Sequence, residues 1–283
     1  MIREVKRVVQ GYKTLEGAGV QVVRVLGIQD IHDIDPFLLL DAFDSDNPED
    51  YVKGFPMHPH RGIETITYLL EGEIVHRDSL GNGDKLVAGE LQWMTAGSGI
   101  IHEEMPQASP KMKGLQFWLN LPAADKMTEP KYFAIMPEDL KEIPLQGGHI
   151  KLISGDFNGE SGVKQPHVKA NMMDLELYGD VTYEFDVSKE LNSFVYILEG
   201  EGYFGSQETL CKMHSAVIFG DGDSVKIRAG KDGIRMVVLS ALPLNEEVAW
   251  GGPIVMNSQK DLQFAFYELN TGTFLKHEAK VDR

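Results

Sequence analysis

Residues 68–73 read YLLEGE, and 128 residues later residues 196–201 read YILEGE. In each copy an apolar run ends on a glycine that a turn requires, and a second glycine-bounded apolar run follows: Leu91–Met94 before Thr95-Ala96-Gly97, and Ala216–Phe219 before Gly220-Asp221-Gly222. A spacing above 100 residues is too long for a solenoid repeat and implies two copies of one domain. Short runs rich in Val, Ile, Leu, Phe and Tyr lie around these copies. They include Val20–Leu26, Glu64–Leu70, Gly114–Leu121, Phe194–Leu198, Ser215–Phe219 and Arg235–Leu239. Such strands, separated by turn clusters such as Gly81-Asn82-Gly83-Asp84, predict an all-β fold of sandwiches or barrels. The Pro-punctuated stretch 122–144 is the expected connection between the copies.

Helical pattern is scarce. Near the C-terminus, Asn257 or Ser258 can cap a helix whose apolar positions are Leu262, Phe266 and Leu269 and whose stop is Thr271-Gly272.

At 283 residues and 42% hydrophobic content the chain has material for one large or two medium cores. Its net charge of −16 repels phosphate backbones, which argues against direct nucleic-acid binding and against anionic membrane surfaces. Cys211 is the only cysteine and cannot form an internal disulfide. The charged opening MIREVKRVVQG does not read as a signal peptide, and no apolar run approaches a membrane span. A cytoplasmic location is the default expectation.

The chemistry lies in two short segments. His58-Pro59-His60 places two imidazoles at i and i+2, on one face of a strand. His102-Glu103-Glu104 repeats the arrangement, with His102 and Glu104 sharing a face and Glu103 pointing away. If the strands adjoin, three neutral imidazoles and one carboxylate converge, a set that suits a first-row metal: iron, manganese, nickel, cobalt, copper or zinc. Four protein ligands on an octahedral ion leave two positions open. Glu64, four residues after His60, fits either a fourth ligand or, as favoured here, a residue that orients an imidazole from behind. Phe55, Met57, Trp93, Met94 and Met105 flank these segments as candidates to enclose a flat aromatic substrate. His76 can line the barrel or face water and is left unassigned, while His167 and His214 are expected to be structural.

FPMHPHRGIETITYLLEGEIVHRD (55–78) and GELQWMTAGSGIIHEEMP (89–106) closely resemble the pirin family of the cupin superfamily, as do DPFLLLDAF (35–43), LQFWLNLPAADKMTEPKY (115–132) and GPIVMN (252–257). The resemblance spans nearly the whole chain and is weakest in the tail LNTGTFLKHEAKVDR. It implies a bicupin, two β-sandwich barrels with few short helices, divided into residues 1–130, which bind metal, and residues 131–283, which do not. It implies one iron ion, Fe2+ or Fe3+, held by His58, His60, His102 and Glu104, with Glu64 off the ligand list. The second copy itself argues against a second site: the positions matching the first histidine pair are Asp186 and Ser188, and no histidine lies between His214 and His277. Two activities follow from the resemblance. One is a quercetin 2,3-dioxygenase, opening a flavonol ring with dioxygen and using Glu104 as base. The alternative is a redox-responsive regulator that binds transcription factors or metabolic enzymes as protein partners.

Overall fold

The computed structural model describes residues 1–277, and the last six residues of the tail lie outside the described part. The expected all-β architecture is present, with a single helix longer than one turn among the described residues. The chain forms two compact units. One comprises residues 1–12, 25–36 and 138–243; the other comprises residues 13–24, 37–137 and 244–283. The division is therefore not one of contiguous halves meeting at residue 130, because each unit draws segments from both halves of the chain.

In the first unit the strand Val5–Gln10 pairs antiparallel with Ser215–Phe219, next to Asn192–Phe204 and Ser224–Ala241. The last two strands are long because bulges bend them, at Ile197/Glu199 and Gly200/Gly202 in their mutual pairing. Alternating residues of the sheet fill the interior with Ile150, Leu175, Val195, Ile197, Val217, Val225, Met236 and Val238. The buried Arg3 ties the N-terminal strand down by donating to the carbonyls of Ser188, Leu191 and Gly220.

In the second unit two sheets bring their inner side chains together. The larger runs, edge to edge, Lys131–Ile135, Leu91–Thr95, Ile63–Glu71, Met112–Asn120, Phe37–Ser45, Val20–Leu26 and Tyr12–Glu16. The smaller runs Phe55–His60, Ile100–Pro106, Glu73–Asp78 and Gly83–Val87. The predicted helix is Gln259–Thr271. Ser258 caps it, its hydroxyl accepting from the Asp261 amide at 3.1 Å, and Gly272 ends it with φ 72°. A cap of this kind contributes about 1 kcal/mol. Leu262 and Ala265 on its apolar face pack with Ala249, Ile254, Met256 and Phe274. Among the described residues no helix is long and apolar enough to cross a membrane.

Arg61 fastens this C-terminal segment to the barrel strands. Its buried guanidinium pairs with Glu268 at 2.6 Å, donates to the carbonyls of Ser98 and Phe274, and lies 4.2 Å over the Phe274 ring. Gly62 follows with φ 76°, and a Cβ there would fall 2.0 Å from the Val255 carbonyl oxygen. Only glycine permits that turn and that approach of the 254–256 strand.

Candidate metal centre

His58, His60 and His102 come together as the two i, i+2 patterns require. Phe55–His60 and Ile100–Pro106 are antiparallel neighbours with His102 opposite His58. The three rings lie with centroids 4.3–5.0 Å apart, and their potential ligand nitrogens all fall within 4.8 Å of one another.

The hydrogen bonds select the nitrogens. His58 Nδ1 lies 2.9 Å from the Pro56 carbonyl oxygen and His60 Nδ1 lies 3.2 Å from that of Pro253. A carbonyl only accepts, so each Nδ1 carries the proton and each Nε2 presents a lone pair. Those two Nε2 atoms face each other at 3.1 Å. Two lone pairs at that distance repel unless a cation lies between them. Two nitrogens bound to one ion at about 2.1 Å and at a right angle stand roughly 3.0 Å apart. Both ring nitrogens of His102 are buried, and among the described residues neither has a hydrogen-bond partner. The donor set therefore fits a metal ion.

Charge state agrees. Burial, reinforced by neighbouring His58 and only partly opposed by the Pro253 carbonyl, pulls the His60 pKa down to about 3. Burial, then His60, His58 and His76, holds His102 well below the usual histidine range. Neutral imidazoles are the form that binds metal.

Glu104 shares the inner face of its strand, as alternation predicts, but its carboxylate is gripped from the opposite sheet. Thr67 Oγ1 and Gln92 Nε2 donate to Oε1, and Gln116 Nε2 donates to Oε2 at 3.0 Å. Gln116, Thr67 and Gln92 stand directly opposite one another on three adjacent strands, so they form a polar row aimed at one residue. Sequence reasoning missed this row. Below Glu104 lies a cavity of about 10 Å³ whose walls include Phe43, Phe55, Ile74, Met112 and Gln116. It holds about one water molecule.

Four expected positions need correction. Glu64 is three residues from Thr67 on one regular strand, so it lies on the opposite face from the row that grips Glu104, and it accepts from Thr95 Oγ1 at 2.8 Å. The turn at Gly62 resets the alternation that relates it to His60. Trp93 alternates with Gln92, faces the same way as Glu64, and stacks on Phe133. Met57 and Met105 alternate with His58 and Glu104, and Met57 is 54% exposed. Phe55 and Met94 do lie on the inner face. The Phe55 ring is 6.5 Å from that of His58, and Met94 stands opposite Thr65 and Tyr132.

Three aromatic side chains absent from the sequence reading complete the wall. Trp118 meets His60 edge to face at 5.0 Å and is followed by Trp250 at 5.8 Å. Tyr132 stacks on His76. The parity that places Trp118 beside Gln116 could have indicated the first of these.

Fold and site define a two-cupin protein with a histidine cluster able to hold a metal ion. The pirin family model matches residues 19–119, and the pirin C-terminal cupin domain matches residues 172–275. A pirin-like protein of Caulobacter vibrioides is 39% identical over 96% of this chain and 99% of its own. Human pirin is 36% identical over 89% of this chain and 87% of its own. The solved structure of a quercetin 2,3-dioxygenase from Acinetobacter baumannii superposes with a TM-score of 0.88 at 30% identity, covering 97% of this chain and 99% of that one. The chain belongs to the pirin family.

Proposed function

We propose that this pirin is a mononuclear iron protein with quercetin 2,3-dioxygenase-type activity, opening a flavonol ring with dioxygen. The observation that carries the reading is the convergence of His58, His60 and His102 with their nitrogens turned inward. Its likeness to a solved quercetin 2,3-dioxygenase supports the same activity. Glu104 is the fourth ligand in this reading. The same donors accept manganese, nickel, cobalt, copper or zinc. The bound ion supplies Lewis acidity toward a coordinated hydroxyl and a redox couple for dioxygen.

The protein's own groups do the rest. Glu104 takes the proton of the flavonol 3-hydroxyl. Gln92, Gln116 and Thr67 hold its carboxylate in place for that transfer. The apolar floor of Phe43, Tyr51, Ile74 and Met112 limits water below it. That floor has no room for a flavonol, so the ring approaches from the partly exposed His58 side, past Phe55, Trp118 and Trp250. Aromatic faces suit a planar substrate. The absence of an internal disulfide suits work in the cytoplasm.

The test is incubation of iron-loaded protein with quercetin in air, following flavonol absorbance and released carbon monoxide. Turnover that the His58→Ala variant lacks is the expected result. Turnover no faster than that of His58→Ala removes the reading.

A further inference from the structure

The fold buries a fourth histidine beside the three that converge. His76 is fully buried, and among the described residues neither of its ring nitrogens has a hydrogen-bond partner. It stands directly opposite Glu104 on the neighbouring strand, so both side chains project from one face of the sheet. Its ring lies 5.3 Å from that of His102 and flat against Tyr132, at 4.5 Å and 10°. Stacking uses the face of the imidazole and leaves its polar edge free. The potential ligand atoms that converge belong to His58, His60 and His102, so His76 stands next to that group and outside it.

An unsatisfied polar edge in a buried position is costly, and an apolar ring of the same shape would pack there without that cost. The edge is useful only if something from outside the protein completes it. The carboxylates on this wall do not complete it: Asp78 accepts from the backbone amides of Leu80 and Asn82 and from the Asn82 side chain, and Glu104 accepts from Thr67, Gln92 and Gln116. A neutral imidazole offers one N–H, and donation to an anion makes a strong, short hydrogen bond.

We propose that His76 is the hydrogen-bond donor to a small exogenous anion, or to the anionic oxygen of a substrate, held at the metal centre, with Tyr132 fixing its ring plane. This rests on the metal reading of the site and is independent of which organic substrate the protein takes.

The test uses the full chain loaded with ferric iron and titrated with azide, followed by optical and electron paramagnetic resonance spectra. Three proteins are compared: wild type, His76→Phe, which keeps the stack on Tyr132, and His76→Gln, which keeps a donor. The expected result is unchanged iron content in all three. Azide should bind about tenfold to a hundredfold more weakly to His76→Phe, and His76→Gln should stay within about threefold of wild type. Equal azide affinity in wild type and His76→Phe overturns the proposal. Loss of iron from His76→Phe also overturns it, since His76 would then be a ligand. If His76→Phe fails to fold, His76→Gln decides alone: a tenfold loss with the donor present overturns the assignment, and near-wild-type affinity supports it. Wild-type protein that takes up no iron overturns both this assignment and the proposed function. Iron-loaded protein that binds azide as expected but leaves quercetin intact removes the dioxygenase reading alone.

Discussion

The Nδ1 nitrogen of His60 lies 3.2 Å from the carbonyl oxygen of Pro253, a residue 193 positions further along the chain. That carbonyl fixes the tautomer and the ring angle that aim Nε2 at the other histidines. Partners of this kind contribute about tenfold to a hundredfold in metal affinity. A chain ending at Gly252, which also loses Glu268 and the 259–271 helix, should bind metal at least tenfold more weakly by titration calorimetry. Undiminished affinity would make the contact incidental.

Metal should also stabilise the fold, because the three histidines and Glu104 come from two strands and unfolding separates them. At a free metal concentration about 100 times Kd the gain is about 2.7 kcal/mol. For a chain of this size that corresponds to roughly 5–10 °C in Tm. Chelation should remove the increment from wild type, and His102→Ala should show no increment to remove.

Disrupting the Arg61–Glu268 pair should be severe. Arg61→Met leaves a buried carboxylate with Lys276 as its remaining cationic partner, and breaking a buried pair costs about 3–5 kcal/mol. Burial alone would raise the Glu268 pKa, but the hydrogen bonds from Lys276 and Arg61 outweigh it and hold the group below its ordinary value. The stabilisation is therefore complete above the unfolded carboxyl pKa of about 4.3 and is lost as pH falls through the lower folded value. Thermal melts should show wild type ahead of Glu268→Gln at neutral pH, with the gap closing below about pH 4.

Lys126 predicts the opposite pH window. Burial, weakly opposed by Glu246, pulls its pKa down to about 7, while its ammonium donates to the Gly62 carbonyl and to Asn120. Between pH 7 and about 10.4 the unfolded chain holds a proton that the folded chain lacks, so stability rises with pH. Across that range wild type should gain on Lys126→Met by at most about 1.4 kcal/mol per pH unit. A pH-independent difference between the two melts would mean that the amine titrates normally.

The row that grips Glu104 can be separated from Glu64 by mutation. Gln92→Leu and Gln116→Leu should each weaken metal binding by about tenfold or more. Glu64→Gln, on the other face of the strand, should change it by no more than about twofold. A large effect at Glu64 would contradict the strand parity described above.

What the sequence disclosed followed from local rules. The histidines of the 58–60 and 102–104 segments share a face because a strand alternates, and Ser258 and Gly272 bound a helix because caps have a chemistry of their own. What it hid depends on register between distant strands. The faces of Glu64 and Trp93 are not legible locally, because the turn at Gly62 breaks the count from His60 and nothing in Leu91–Thr95 itself says which face looks inward. Gln92, Thr67 and Gln116 look like ordinary polar positions until the pairing lines them up. Pro253 acts through its backbone, which leaves no side-chain signal at all. The exchange of chain ends between the units is equally silent, because Val5–Gln10 carries no mark of its pairing with Ser215–Phe219.

The placement of the segment from Pro253 to Phe274 beside the histidine strands sets an order of events during synthesis. His102 leaves the ribosome about 150 residues before Pro253, which is roughly 8–30 s at ordinary elongation rates. Until then His60 lacks the carbonyl that orients it and Arg61 lacks Glu268. A nascent chain therefore has all three histidines outside the ribosome well before it can hold them in the finished geometry.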